Sequence, residues 1–344
     1  MRLRSFPLLA LAAVACGDGK EGEPSPPPPP APVWLDELSG ELPETMTELG
    51  LYQQPGTSRA HRDAVEYEPR FELWSNGTTK HRLLFLPSNT SVETSSDGAY
   101  EFPRGTLFAK TFSAPRFDGS GELLEARPLE TRVLRLEDEG WQYAVYLWNE
   151  AGDDAVLADI AMPHRVTVEI DGERFEHVVP SKLDCRKCHE SQASPIIGFR
   201  ELGLTSALAD GEVSQLEAFH ERGLIDQLPE QPEVIDHADP VTTEVLGYLE
   251  GNCTHCHNGG DGASSAFDLR HDVALENLIG QETAGEALSG IRVVPGEPES
   301  SALYLALSRT EDVNDIQAMP PVGVQRRDSS AVELFRGWIS SLPR

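Results

Sequence analysis

The sequence predicts an α+β multidomain protein, in which an antiparallel β-rich N-terminal domain precedes a mainly α-helical region. Three observations lead there. Short β-prone runs crowd residues 50–180, an Asp-Gly pair divides two alternating runs in "RVTVEIDGERFEHVV", and beyond residue 180 the apolar spacing becomes that of helices.

The chain opens with "MRLRSFPLLALAAVAC", in which Arg2 and Arg4 precede a short apolar run from Phe6 to Ala15. Residues 1–15 therefore read as an export signal, too short to span a bilayer. Cys16 follows small residues, as in a bacterial lipoprotein, where such a cysteine is lipidated and becomes the new N-terminus. Ordinary cleavage after "AVA" is the alternative; lipidation is preferred because it accounts for a cysteine that no other motif uses. Residues 16–40, which include "GDGKEGEPSPPPPPAP", form a polar, Pro-rich stalk.

In residues 41–180, "RLLFLP" and "GTLFAKTF" are strands, and "TRVLRLEDEGWQYAVYLW" holds two more around a polar turn at Glu137 to Gly140. These predict an antiparallel sandwich. Trp141, Tyr143 and Val145 share one strand face, and Tyr146 and Trp148 the other, which reads as core packing. Further on, "VSQLEAFHERG", "TTEVLGYLEGNC" and "ESSALYLALSR" have helical spacing. "DSSAVELFRGWISSL" aligns Val332, Phe335 and Ile339 behind a capping box of Ser330 and Glu333. The expected division is a first segment over 181–240 and a compact domain over 241–344.

Two motifs carry chemistry. "DCRKCHE" places Cys185, Cys188 and His189, and "NCTHCHNGG" places Cys253, Cys256 and His257; together they use four of the five cysteines. C-x-x-C-H is the attachment site of c-type haem: both thiols bond the porphyrin vinyl groups and the histidine becomes the proximal iron ligand. A four-thiolate zinc ribbon is the main alternative, but its pairs lie closer in sequence and give no reason for the histidines. Redox disulfides would call for a thioredoxin-like βαβ context, which is missing. On this reading residues 181–240 and 241–344 bind one haem each, and the latter is a cytochrome c-like domain. "AMPPVG" offers Met319 in a Pro-stiffened loop as the distal ligand of the second haem; gap-filling in a core is the alternative. For the first haem the candidates are Met162, His164, His177, His220, His237 and His255, each of which also suits a surface or packing role. If none binds, that iron is five-coordinate and open to a small ligand.

The series "LWSNGTTKHRLLFLP", "FPRGTLFAKTF", "LETRVL", "GWQYAVYLWNEAGDDAVL", "VPSKLDCRKCHE", "GYLEGNCTHCH" and "MPPVG" before "RGWI" resembles a group of bacterial dihaem c-type cytochromes, from about Leu49 to Ile339. The resemblance implies a secreted or membrane-anchored haem protein, with a β-rich region ahead of two haem sites. It carries attachment over to Cys185, Cys188, Cys253 and Cys256 and ligation to His189 and His257, with Met319 as distal ligand. Asn76 stands where the group often has an aspartate. The resemblance names no substrate.

The 28 basic and 57 acidic residues leave a net charge of -29, which argues against nucleic acid as a partner and suits either steering of basic redox partners or plain solubility. Three function classes compete. The first is an exported, lipid-anchored electron carrier, periplasmic or surface-facing, with two covalent haems and no catalytic residues. The second is a dihaem peroxidase or oxidoreductase with an open first haem. The third is a binding module whose β-rich domain recognises a partner.

Overall fold

A computed structural model describes residues 40–53, 59–95, 99–118, 120, 122–192, 194–207, 213–260, 267–283, 290–308 and 316–344. Cys16, the export signal and nearly all of the stalk lie outside the described residues. In chain order the elements are α1 (Met46–Leu49), β1 (Val65–Glu66), β2 (Thr79–Phe85), β3 (Glu93–Thr94), β4 (Tyr100–Glu101), β5 (Leu107–Phe117), β6 (Leu123–Glu137), β7 (Gly140–Trp148), β8 (Ala155–Leu157), β9 (His164–Ile170), β10 (Glu173–Val179), α2 (Lys182–His189), α3 (Gln215–Glu221), α4 (Pro240–Asn252), α5 (Ala274–Leu278), α6 (Ala302–Ser308) and α7 (Ser329–Ser341).

The alternating runs build one antiparallel six-stranded sheet in the order β1-β2-β5-β6-β7-β8. The polar turn predicted at Glu137 to Gly140 is the β6–β7 hairpin, in which those two residues pair. Asp171 and Gly172, at φ 55 and 75°, turn β9 into β10, the left-handed backbone that an Asp-Gly hairpin needs. Among the described residues the expected sandwich does not form, because β9 and β10 make a two-stranded ribbon and β3 and β4 another. Instead the two faces of the one sheet are covered differently. Leu83, Phe85, Leu107, Val133 and Tyr146 pack on Met46 and Leu49. Leu84, Phe108, Leu134, Tyr143 and Val145 pack on Cys185, Phe199, Leu204, Leu216 and Phe219.

The mainly α-helical C-terminal region is corrected outright. Among the described residues beyond 180 only α4 and α7 reach 13 residues. α2, α3, α5 and α6 run five to eight, linked by long irregular stretches. The cause is local: the apolar periodicity lasts only a few turns between Pro- and Gly-rich interruptions, so cohesion comes from burial between loops and helices rather than from helix length. Val245, Leu249, Leu305, Phe335, Trp338 and Ile339 form that second core. The capping box predicted at Ser330 is also displaced, since Asp328 caps α7 by accepting from Ala331 N–H at 3.1 Å. No helix among the described residues is long and apolar enough to cross a membrane.

Candidate functional site

Each motif is set by the start of its own helix. Ser181 and Asp184 form a reciprocal capping box that fixes the phase of α2, so Cys185 and His189 turn inward against the sheet. The His189 ring lies 5.8 Å from that of Tyr143 on β7. α4 begins at Pro240 behind Asp239, whose carboxylate accepts from Val241 and Thr242 N–H, and it delivers Cys253 at its last turn.

A short segment ahead of β2 clasps the second motif and the methionine loop together. Phe71 packs on α4 so closely that a Cβ at Gly247 would sit 2.6 Å from its ring, and one at Gly251 2.8 Å from its carbonyl oxygen. Asn252 accepts from Trp74 N–H at 2.7 Å and donates to the Glu72 carbonyl at 3.1 Å. Asn76, fully buried, donates to the Gly323 carbonyl and Gln325 Oε1 and accepts from the N–H groups of Gln325 and Arg326. Met319 is held from the other side by its N–H to the Ala306 carbonyl at 3.1 Å.

The consequence is that both motifs face one another. Ser191 Oγ donates to the His255 carbonyl at 2.7 Å, Asn258 Nδ2 donates to the Ser191 carbonyl at 2.8 Å, and the Cys188 and Cys256 sulfurs are 3.8 Å apart. A mostly apolar cavity of about 320 Å³ is lined by Cys185, Cys188, His189, Cys253, Cys256, His257 and Met319 alike. A second, more polar cavity of about 730 Å³ adjoins it, and Lys110 and His255 line both.

Burial, with Lys110 and Arg132 nearby, pushes His189 down to about 3 and keeps its imidazole neutral, as a metal ligand must be. Its Nδ1 is engaged at 2.5 Å by the Pro195 carbonyl, which leaves Nε2 free to bind. Burial likewise lowers His257, whose Nδ1 has no partner. The hydrogen bond between Cys188 and Cys256 lowers the latter to about 4, with His255 assisting, and raises the former. Burial raises Cys185, and it pushes Cys253 up to about 12.

Among the candidate distal ligands of the first motif, only His177 and His255 line the cavity. His177 is buried, with Nε2 at 2.9 Å from Glu130 Oε1 and Nδ1 unpartnered. His220 is spent on the Ile225 carbonyl, Met162 is 73% exposed, and His164 and His237 lie outside the cavity.

The residues present fit haem attachment. Paired thiols, two neutral imidazoles and a thioether converge on one apolar space, which is the donor set of that group. The same convergence brings the ligand atoms of Cys188, His255 and Cys256 within 4.8 Å of one another. That is a soft set of three, one short of the four of a structural zinc site.

Compared with known proteins, the chain matches no family model, no curated protein and no solved structure.

Sequence reasoning passed over Asn76 as a scaffold, and over Lys110 and Arg132. The signal for the last two was present. Lys110 falls in phase with Phe108 and Phe112, and Arg132 with Leu134 and its own ion-pair partner Glu130, so charges enter the strand face that packs on the first motif.

Proposed function

We propose that this chain is an extracytoplasmic dihaem c-type cytochrome that passes single electrons between redox partner proteins. The observation that supports it is the meeting of both C-x-x-C-H motifs and Met319 around one cavity, with two of their sulfurs 3.8 Å apart. Bound haem would supply a one-electron iron couple. Cys185 and Cys188 would hold the first group and Cys253 and Cys256 the second. His189 and His257 would each offer an imidazole to the iron, and Met319 would offer a thioether, a donor that favours ferrous iron, at the second. Leu269, Leu278, Ala306 and Leu307 exclude water around it. Anchoring through a lipid on Cys16 belongs to the same proposal, as does docking of basic partners to the acidic surface.

A dihaem peroxidase or oxidoreductase is the second reading, favoured by a first site at which no candidate ligand is committed: His177 and His255 both line the cavity with Nδ1 free.

The test is to express residues 31–344 with haem-maturation machinery, count haem by pyridine haemochrome and intact mass, and record the ferrous spectrum before and after carbon monoxide. Two covalent haems that carbon monoxide leaves unchanged are expected for the electron carrier. A shift in about half the haem moves the second reading ahead. Covalent haem absent and one zinc per chain by elemental analysis would overturn both in favour of the Cys188, His255 and Cys256 cluster. In Met319→Ala, the second haem is expected to become high-spin and to bind carbon monoxide.

A further inference from the structure

Three cations stand in one row across the sheet. Arg82 of β2, Lys110 of β5 and Arg132 of β6 are direct cross-strand partners, on the same face as Leu84, Phe108 and Leu134, which packs against the first motif. Like charges opposite one another repel, and the low dielectric of a buried face strengthens the repulsion. The acids nearby cover only the ends of the row. Arg82 lies 3.7 Å from Glu72, which also takes Lys80 at 2.9 Å. Arg132 makes two bonds to Glu130, at 2.9 and 2.6 Å. Lys110, in the middle, has no ion-pair or side-chain hydrogen-bond partner among the described residues; its Nζ lies 5.3 Å from the centre of the Phe112 ring.

The row also sits where the cavities meet. Arg132 lines the first, Arg82 the second, and Lys110 both. Arg82 is buried and Lys110 and Arg132 are half-buried, and such a row with no counter-ion paired to its central member is costly by itself and is relieved by an anion that reaches it through a cavity. The planar forks of two arginines around an ammonium suit a carboxylate in particular.

We propose that Arg82, Lys110 and Arg132 form a carboxylate-binding site at the junction of the two cavities, with Lys110 as the deciding contact. The carboxylate has two sources, the propionates of a haem held by Cys185 and Cys188 or a small free anion in the polar cavity. The first source rests on the dihaem reading and the second does not.

The experiment compares full-chain wild type with Lys110→Met, close in size and uncharged, and Lys110→Arg, which keeps the charge. Haem is counted first, and the two midpoint potentials are then titrated with and without acetate. A cation beside a haem carboxylate favours the ferrous state. Lys110→Met is therefore expected to lower the reduction equilibrium of one haem about tenfold, 59 mV for a one-electron couple, and Lys110→Arg to restore it. A shifted potential in Lys110→Met, with wild-type potentials indifferent to acetate, identifies the propionate as the anion. A saturable acetate response that Lys110→Met loses identifies the free anion. Two haems in Lys110→Met with wild-type potentials, and no acetate response in either protein, overturn the site. A change of spin state in Lys110→Met overturns it too, since that marks Lys110 as an iron ligand. If no haem is attached, the dihaem reading falls, and acetate stabilisation against urea in wild type but not in Lys110→Met then decides the row; its absence overturns the site.

Discussion

Asn76 has a left-handed backbone at φ 61° and uses both ends of its amide across the fold, donating to Gly323 and Gln325 and accepting from the backbone of Gln325 and Arg326. An aspartate tolerates the same backbone but has no N–H, so it would face the Gly323 carbonyl and Gln325 Oε1 with a second set of acceptors. Asn76→Asp is expected to lose about 1–3 kcal/mol, seen as a lower urea midpoint with an unchanged slope. The amide thus has a structural role in this chain: it secures the end of the methionine loop. Glu130 is the other decisive single residue. Burial raises its carboxyl, but Arg132 and the bond from His177 outweigh that and hold it at about 2. Because the folded value lies below the ordinary one, its contribution to stability is complete above about pH 4.5 and is lost as pH falls toward 2. Acid unfolding followed by circular dichroism should show that loss in wild type, and Glu130→Gln should lack it.

At the level of elements, the helices are readable in place but not in detail. The capping box expected at Ser330 and Glu333 has the right residue types, yet Asp328 reaches the Ala331 N–H first and starts α7 two residues earlier. Asp328→Ala is expected to cost about 1 kcal/mol, whereas Ser330→Ala should change little; paired urea titrations separate the two. The strands are read more fully, since a period of two and an Asp-Gly turn are local signals. The same period holds a further signal. Charges at Lys110 and Arg132, in phase with Phe108 and Leu134, mark the sheet face that meets the first motif.

For the molecule as a whole, the core under the sheet is shared. Leu84, Phe108 and Tyr143 are covered by Cys185, Phe199 and Phe219, and four aromatic contacts of Phe199, with Tyr67, Tyr100, Phe102 and Phe108, cross the same boundary. Residues 41–180 expressed alone are therefore expected to expose a large apolar face; dye binding and weak near-UV dichroism should report it, and a compact two-state fragment would refute it. The two C-x-x-C-H motifs, the methionine loop, the strand alternation and the acidic charge were all determined by the sequence itself, because each is a pattern of neighbours within a few residues. What the tertiary structure decided was the single sheet in place of a sandwich, the short-helix C-terminal region and the clasp through Asn76. It also decided the meeting of Cys188 with Cys256 and the row Arg82, Lys110 and Arg132. These depend on contacts between segments far apart in the chain, where burial and strand register choose among partners that local patterns leave equivalent.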